Sequence, residues 1–290
     1  MQGAEANIGT HIRISCKTCR ICIAVRSWPQ IGSSCGAADN TGTVIRVQPP
    51  PLPHQLAVLG RVLDRVTVAS VDGGPMPLVV FGIDGTLYDN RPRTLEILSE
   101  YAELCEPEVR VALRSLEENH VHFLLSQTLR ECGVTHADLV TEITSFWRER
   151  FFGELYLEWD QVREGAADYV RALHHAGAGI VYLSGRDLHG MMLGTLSRMR
   201  DDDFPLASAG IQLVLKPDAT LGDESFKRTV LKSLRRMGDV VAVFDGNANI
   251  CEMARGLYPD ADIGLIDAWA MSPEEGAGIE IVGDLRLQRS

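Results

Sequence analysis

Residues 77–87 read Pro-Leu-Val-Val-Phe-Gly-Ile-Asp-Gly-Thr-Leu, and this stretch decides the fold. A short, almost wholly apolar run over 78–83 has the character of a strand buried on both faces, as in a parallel sheet. The run gives way at once to Asp84-Gly85-Thr86, a carboxylate at a strand end followed by a turn glycine.

From 77 onward, strand and helix patterns alternate. The spacing predicts a helix from about Pro92, a residue suited to a first helical turn, to about Leu104. Residues 107–152 read as almost purely helical, over about 107–118, 120–132 and 136–152, with Gly133 ending the second and Thr135 capping the third. Helix 163–176, strand 178–183, helix 188–199, strand 211–215, helix 223–237, strand 239–244, helix 248–256 and strand 262–266 follow, with a last strand at 279–282. This order implies right-handed crossovers and a doubly wound parallel α/β sheet covered on both faces. The helical insert after the first strand is expected to form a separate all-helical cap over 105–157, with the α/β core supplied by 76–104 and 158–290.

Residues 1–75 look different. They carry Gly32-Ser33-Ser34, Pro49-Pro50-Pro51 and Gly73-Gly74-Pro75 and lack sustained periodicity, apart from a short apolar face over about 54–66. The segment is expected to be a poorly ordered extension, with the fold starting just after Met76. Two origins stay open for it: an upstream start that adds residues foreign to the fold, and an organelle-targeting leader. Four basic and one acidic residue in the first 27 fit the leader, although no cleavage signal stands out.

At 290 residues and 45% apolar content the chain has room for one large domain with an insert. No run approaches the roughly 20 apolar residues that span a bilayer. The net charge is −11, made of +3 over residues 1–75 and −14 over the remainder. An acidic body argues against broad nucleic-acid binding. Seven cysteines, odd in number and unevenly spaced, are no disulfide framework and suit a reducing cytoplasm. Cys105, Cys132 and Cys251 read as buried thiols. Cys16-x-x-Cys19-x-x-Cys22 has a spacing seen in metal sites, but the fourth ligand of the iron–sulfur pattern is absent at its place.

In doubly wound sheets, ligands bind beyond the carboxyl ends of the strands. Three strand ends carry polar groups here: Asp84, Ser184 in Ser-Gly-Arg-Asp, and Asp245 closing Val-Val-Ala-Val-Phe-Asp. In order and spacing these residues, with a lysine before the last, resemble the motifs of the haloacid dehalogenase superfamily. The resemblance covers about residues 77–267. It implies a Mg²⁺-dependent phosphohydrolase acting on a small phosphorylated substrate. A carboxylate attacks phosphorus, a second one two residues on works as acid and base, and a metal and a lysine neutralise the phosphoryl oxygens.

Carried onto this chain, the resemblance makes Asp84 the acid/base, with its backbone carbonyl facing the metal. Thr86 would brace the loop, Ser184 and Gly185 would meet the phosphoryl group, and Arg186 could contact an anionic substrate. Asp245 would ligate the metal, with Asn247 or Asn249 adding a neutral oxygen where the family often has an acid. Two lysines compete for one role: Lys216, in a Lys-Pro pair, and Lys227, 18 residues before Asp245, which is favoured.

One position departs from the pattern. The family's nucleophilic aspartate falls at Gly82. Loss of the nucleophile costs a serine hydrolase on the order of a million-fold in turnover. Impaired hydrolysis is therefore expected, with Gly82→Asp raising it by orders of magnitude. The alternative is a non-catalytic module that binds a phosphate or a partner on the same scaffold. A nucleic-acid-end phosphatase is a distant third, suggested by similarity over 213–245. The insert's aromatics, Phe123, Phe146, Trp147, Phe151 and Phe152, fall at helical spacing and read as cap core; a cap also shapes substrate choice and excludes water.

Overall fold

The computed structural model describes residues 53–266 and 279–287. The first strand, β1 (Pro77–Phe81), is buried along its whole length. Its side chains alternate between two cores: Val79 and Phe81 pack on one face of the sheet, Leu78 and Val80 on the other. That two-sided burial is why the stretch reads as continuous apolar sequence.

A short strand β2 (Tyr88–Asp89) follows, then α2 (Arg91–Ala102), α3 (Pro107–Arg114), α4 (Leu125–Glu131), α5 (Ala137–Phe151) and the return strand β3 (Gln161–Val162). The α/β alternation then runs α6 (Ala166–His175), β4 (Gly179–Asp187), α7 (Leu188–Asp201), β5 (Ile211–Lys216), α8 (Asp223–Leu234), β6 (Asp239–Asp245), α9 (Ala248–Leu257), β7 (Asp262–Ile266) and β8 (Glu280–Val282). The six long-sheet strands are parallel, in the order β5-β4-β1-β6-β7-β8. The chain thus winds outward from β1 on one side and then on the other, which opens a crevice at the carboxyl ends of β4, β1 and β6. A bulge sets the pairing of β1 with β6: Leu78 faces Val240, but Val79 faces Ala242. The extra residue places Val241 and Ala242 together on one face, so β6 re-enters alternation before it reaches Asp245.

Two boundaries differ from expectation. The fold includes helix α1 (Pro53–Val71), which precedes Met76. Val58, Leu59, Val62 and Val66 on it are buried in the core of one sheet face. Arg61 Nε and Arg65 bind the two carboxylate oxygens of Asp262 at 2.7 and 2.6 Å, Gln55 Nε2 donates to Asp284 at 2.7 Å, and Tyr169 donates its hydroxyl to the Leu59 carbonyl at 3.1 Å. An extension beyond the fold therefore does not describe residues 53–71; the apolar face visible over 54–66 is the cover of the sheet.

The second difference is the cap. Leu98, Tyr101 and Ala102 of α2 pack with Leu113, Leu125, Leu129 and Ile143 in a third cluster separate from the sheet cores. The helical insert thus starts at Arg91 rather than 105. It is entered and left through β2 and β3, which pair antiparallel as Tyr88–Val162 and Asp89–Gln161. Cys16, Cys19, Cys22 and Cys35 lie outside the described residues. Cys251 is buried, while Cys105 and Cys132 are half-buried, and all three are free thiols. No described helix is long and apolar enough to cross a membrane.

Candidate functional site

Three adjacent strands deliver the site. After β1 the chain turns sharply: the Ile83 carbonyl accepts N–H bonds from Thr86, Leu87 and Tyr88 at 3.0–3.2 Å. Gly85 sits at φ +70°, a left-handed conformation that glycine adopts without steric penalty. Thr86 Oγ1 accepts from the Gly246 N–H at 2.8 Å, which ties the loop after β1 to the loop after β6. Ser184 lies near the end of β4 and Asp245 ends β6. Lys227, on the first turns of α8, donates from Nζ to Asp245 Oδ2 at 2.7 Å. Asp84, Ser184, Gly185, Lys227 and Asp245 all line one cleft of about 410 Å³ between the sheet and the cap.

The space beside Gly82 is filled. A Cβ built on Gly82 would lie 2.5 Å from Thr86 Oγ1 and 2.8 Å from Asp245 Oδ2. Real Cβ atoms do not approach polar atoms so closely. The two side chains occupy the space that a larger residue at 82 would need, and Lys227 is turned to Asp245.

Asp84 is not free either. Arg186 grips it with two bonds, Nε to Oδ2 at 2.9 Å and a terminal nitrogen to Oδ1 at 2.7 Å. Arg93 from α2 adds a third at 2.7 Å, and Asn90 Nδ2 a fourth at 2.9 Å. Asp160, just before β3, joins the same cluster: Arg186 reaches it at 2.7 Å, Arg93 at 3.1 Å and Asn90 at 2.9 Å. The side chain of Asp84 keeps 28% exposure while both arginines are fully buried. Burial alone would raise the Asp84 carboxyl. The guanidinium charges of Arg186 and Arg93 outweigh it and hold the group well below the usual carboxylate range. A group so strongly ionised is a poor proton donor at neutral pH.

The structure therefore brings Asp84, Ser184, Gly185, Lys227 and Asp245 together, with Thr86 and Gly82 just beneath. It leaves three expected residues aside. Lys216 donates to Asp223 Oδ1 at 2.6 Å and to the Leu221 carbonyl at 3.2 Å, and does not line the cleft. Arg186 is consumed by Asp84, Asp160 and the Thr195 hydroxyl, so it is not positioned for a substrate anion. Asn249 donates its side-chain amide to Glu224 at 2.8 Å, away from Asp245. Arg93, Asn90 and Asp160 went unnoticed in the sequence. They lie 9, 6 and 76 residues from Asp84, and no local spacing rule connects them.

Mg²⁺ is commonly held by one or two carboxylates together with waters and phosphate oxygens; here Asp245 would be the carboxylate at the strand ends, with a glycine at position 82. Among the described residues no three His, Cys, Asp or Glu side chains converge. Both oxygens of Asp245 are engaged, Oδ1 by the Asn247 N–H at 2.9 Å and Oδ2 by Lys227.

Among solved structures, the chain is similar to a Clostridium difficile protein named, by inference, a phosphatase. The identity is 12%, with 71% of this chain and 94% of that chain covered at a TM-score of 0.49. It is also similar to a haloacid dehalogenase superfamily hydrolase of subfamily IA from Geobacter sulfurreducens. There the identity is 13%, with 69% and 90% covered at a TM-score of 0.45. No curated protein matches the chain. The family model of haloacid dehalogenase-like hydrolases matches residues 76–257, well over half of the sequence and every strand tip that lines the cleft. On that match the chain belongs to the haloacid dehalogenase-like hydrolases.

Proposed function

We propose that the cleft binds the phosphoryl group of a small phosphorylated molecule, and that turnover through an aspartyl-phosphate is lost or severely impaired. The observation that carries this reading is position 82. A glycine stands where the family resemblance expects the attacking carboxylate, and Thr86 and Asp245 occupy the space beside it, which supports the reading. Binding is supported by what remains. Lys227 is a buried cation facing the cleft, and Ser184 is buried beside it. Ser184 Oγ accepts the Arg186 N–H at 3.1 Å, which leaves its own proton to donate to a phosphoryl oxygen. The engaged state of Asp245 supports binding that does not require Mg²⁺. A reducing cytoplasm is the compartment we infer from the cysteine usage.

Calorimetric titration with inorganic phosphate, in chelator and in Mg²⁺, tests the binding, alongside turnover of p-nitrophenyl phosphate. Saturable binding is expected in both buffers, weakened several-fold in Ser184→Ala and more strongly in Lys227→Met, with turnover at the buffer background. Robust Mg²⁺-dependent hydrolysis by the unmodified protein would overturn the reading, as would no phosphate binding at all.

A further inference from the structure

The polar floor accounts for only part of the cleft. The opposite wall, supplied by the cap, is aromatic. Trp147 and Phe151 lie four residues apart on α5, so both point to the same side, and Phe152 follows directly. Trp147 and Phe151 stack with ring centroids 4.3 Å apart. Phe152 stands edge-on to both, 5.2 Å from Phe151 and 6.3 Å from Trp147. Phe123, from the segment before α4, completes the lining. Two of these side chains are not buried as a cap core would be, Phe123 at 55% exposure and Phe152 at 37%, while Phe151 is half-buried and Trp147 packs against the cap core.

A wall of this kind selects by shape and by what it lacks. The Trp147 indole N–H is directed to Thr94 Oγ1 at 3.3 Å, and Phe151 is held between Trp147 and the Arg93 guanidinium, 3.8 Å from its centroid. His122 and Arg148 also line the cleft, so the apolar selection falls to the exposed Phe123 and Phe152 rings. A polyol laid against those two rings would lose hydrogen bonds to water and gain none from them, whereas a flat ring would gain aromatic contacts and cover them. The cleft volume of about 410 Å³ lies at the small-molecule end of the range for ligand sites and accommodates one ring and a phosphate.

We infer that the cleft takes a phosphate monoester of a flat aromatic alcohol. The phosphoryl group meets Ser184 and Lys227, and the ring lies against the exposed Phe123 and Phe152. The inference rests on the phosphate-site reading above and adds the class of the esterified group.

Calorimetric titration of the full chain with phenyl phosphate, glycerol phosphate, inorganic phosphate and phenol tests it. Phenyl phosphate should bind about ten-fold more tightly than glycerol phosphate, the difference expected of one aromatic contact set and its buried area. Phe123→Ala and Phe152→Ala should shrink the ratio of phenyl phosphate to inorganic phosphate affinity. Phe152→Leu, which keeps bulk but not the ring, should shrink it in part. Equal affinity for the phenyl and glycerol esters, with inorganic phosphate still bound, overturns the aromatic inference and leaves the phosphate site standing. A ratio unchanged in all three variants also overturns it. If neither phosphate nor either ester binds, the phosphate-site reading itself falls.

Discussion

Residue 82 is a glycine, and Thr86 and Asp245 occupy the space a side chain there would need. Restoring the carboxylate with Gly82→Asp forces Thr86 and Asp245 aside. The substitution should therefore destabilise the protein by about 1–3 kcal/mol, the usual range for overpacking, as read by chemical denaturation. The same variant should gain turnover of p-nitrophenyl phosphate, provided that Lys227 exchanges Asp245 for the new carboxylate. Its kcat should stay far lower on glycerol phosphate, since Asp84 is held as an anion and cannot protonate a poor leaving group. A comparable kcat on the two esters would show that Asp84 does donate a proton. The electrostatics of Asp84 also sets a pH dependence. Its folded value is depressed, so its contribution to stability is complete above about pH 5. That contribution shrinks as pH falls through the ordinary aspartate value of about 3.9 toward the lower folded one. Asp84→Asn should be clearly less stable than the parent at pH 7, and the gap in melting temperature should narrow toward pH 3. At this scale the sequence was half informative. Strand-end position and motif order located residues 82, 84, 184, 227 and 245, because local backbone geometry places them. Arg186, 102 residues from Asp84, and Arg93, nine residues away on α2, become its neighbours only in the folded chain.

At the scale of elements, periodicity was a reliable guide wherever one face of a helix or both faces of a strand were buried. Strand β7 falls on its expected residues, the other strands of the long sheet shift by a few positions at their ends, and the two-residue strands β2 and β3 are too short to carry a period. The allegiance of an element was harder to read. An amphipathic helix declares that it packs, but not against what. Helix α2 reads as part of the core by its place after the first strand, and it packs with the cap. Helix α1 carries an apolar stripe inside a segment that otherwise reads as a loose extension, and it covers the sheet. A chain shortened to begin at Met76 should accordingly fail to fold. It would uncover the sheet beneath Val58, Leu59, Val62 and Val66, each worth about 1.5–3 kcal/mol, against a total stability of about 5–15 kcal/mol. Leu59→Ala alone should cost about 2–5 kcal/mol by the same measurement. A soluble, cooperatively melting protein from residue 76 onward would contradict the packing described for α1.

At the scale of the whole molecule, the cap and the core are joined by the thin β2–β3 ribbon and by the four-charge cluster of Asp84, Arg93, Asp160 and Arg186. Arg93 sits in the first turn of the helical insert and Asp160 just before the return strand β3, while Asp84 and Arg186 sit at the ends of core strands. Removal of one charge leaves its partners buried and unbalanced, so Arg93→Ala should destabilise the protein by about 3–5 kcal/mol. Proteolysis of this variant should begin within the cap rather than at a sheet terminus, as mapped by mass spectrometry of the first fragments. The doubly wound architecture itself was legible from the alternation of strand and helix, because burial on both sides of a parallel sheet leaves an unmistakable apolar record. The cluster left no such record. Its consequence concerns what a signature residue testifies to. Asp84 fastens cap to core through Arg93 and Arg186, and a lineage selected only for staying folded would keep it. Survival of this emblem of catalysis is thus equally at home in a protein that has given up its reaction.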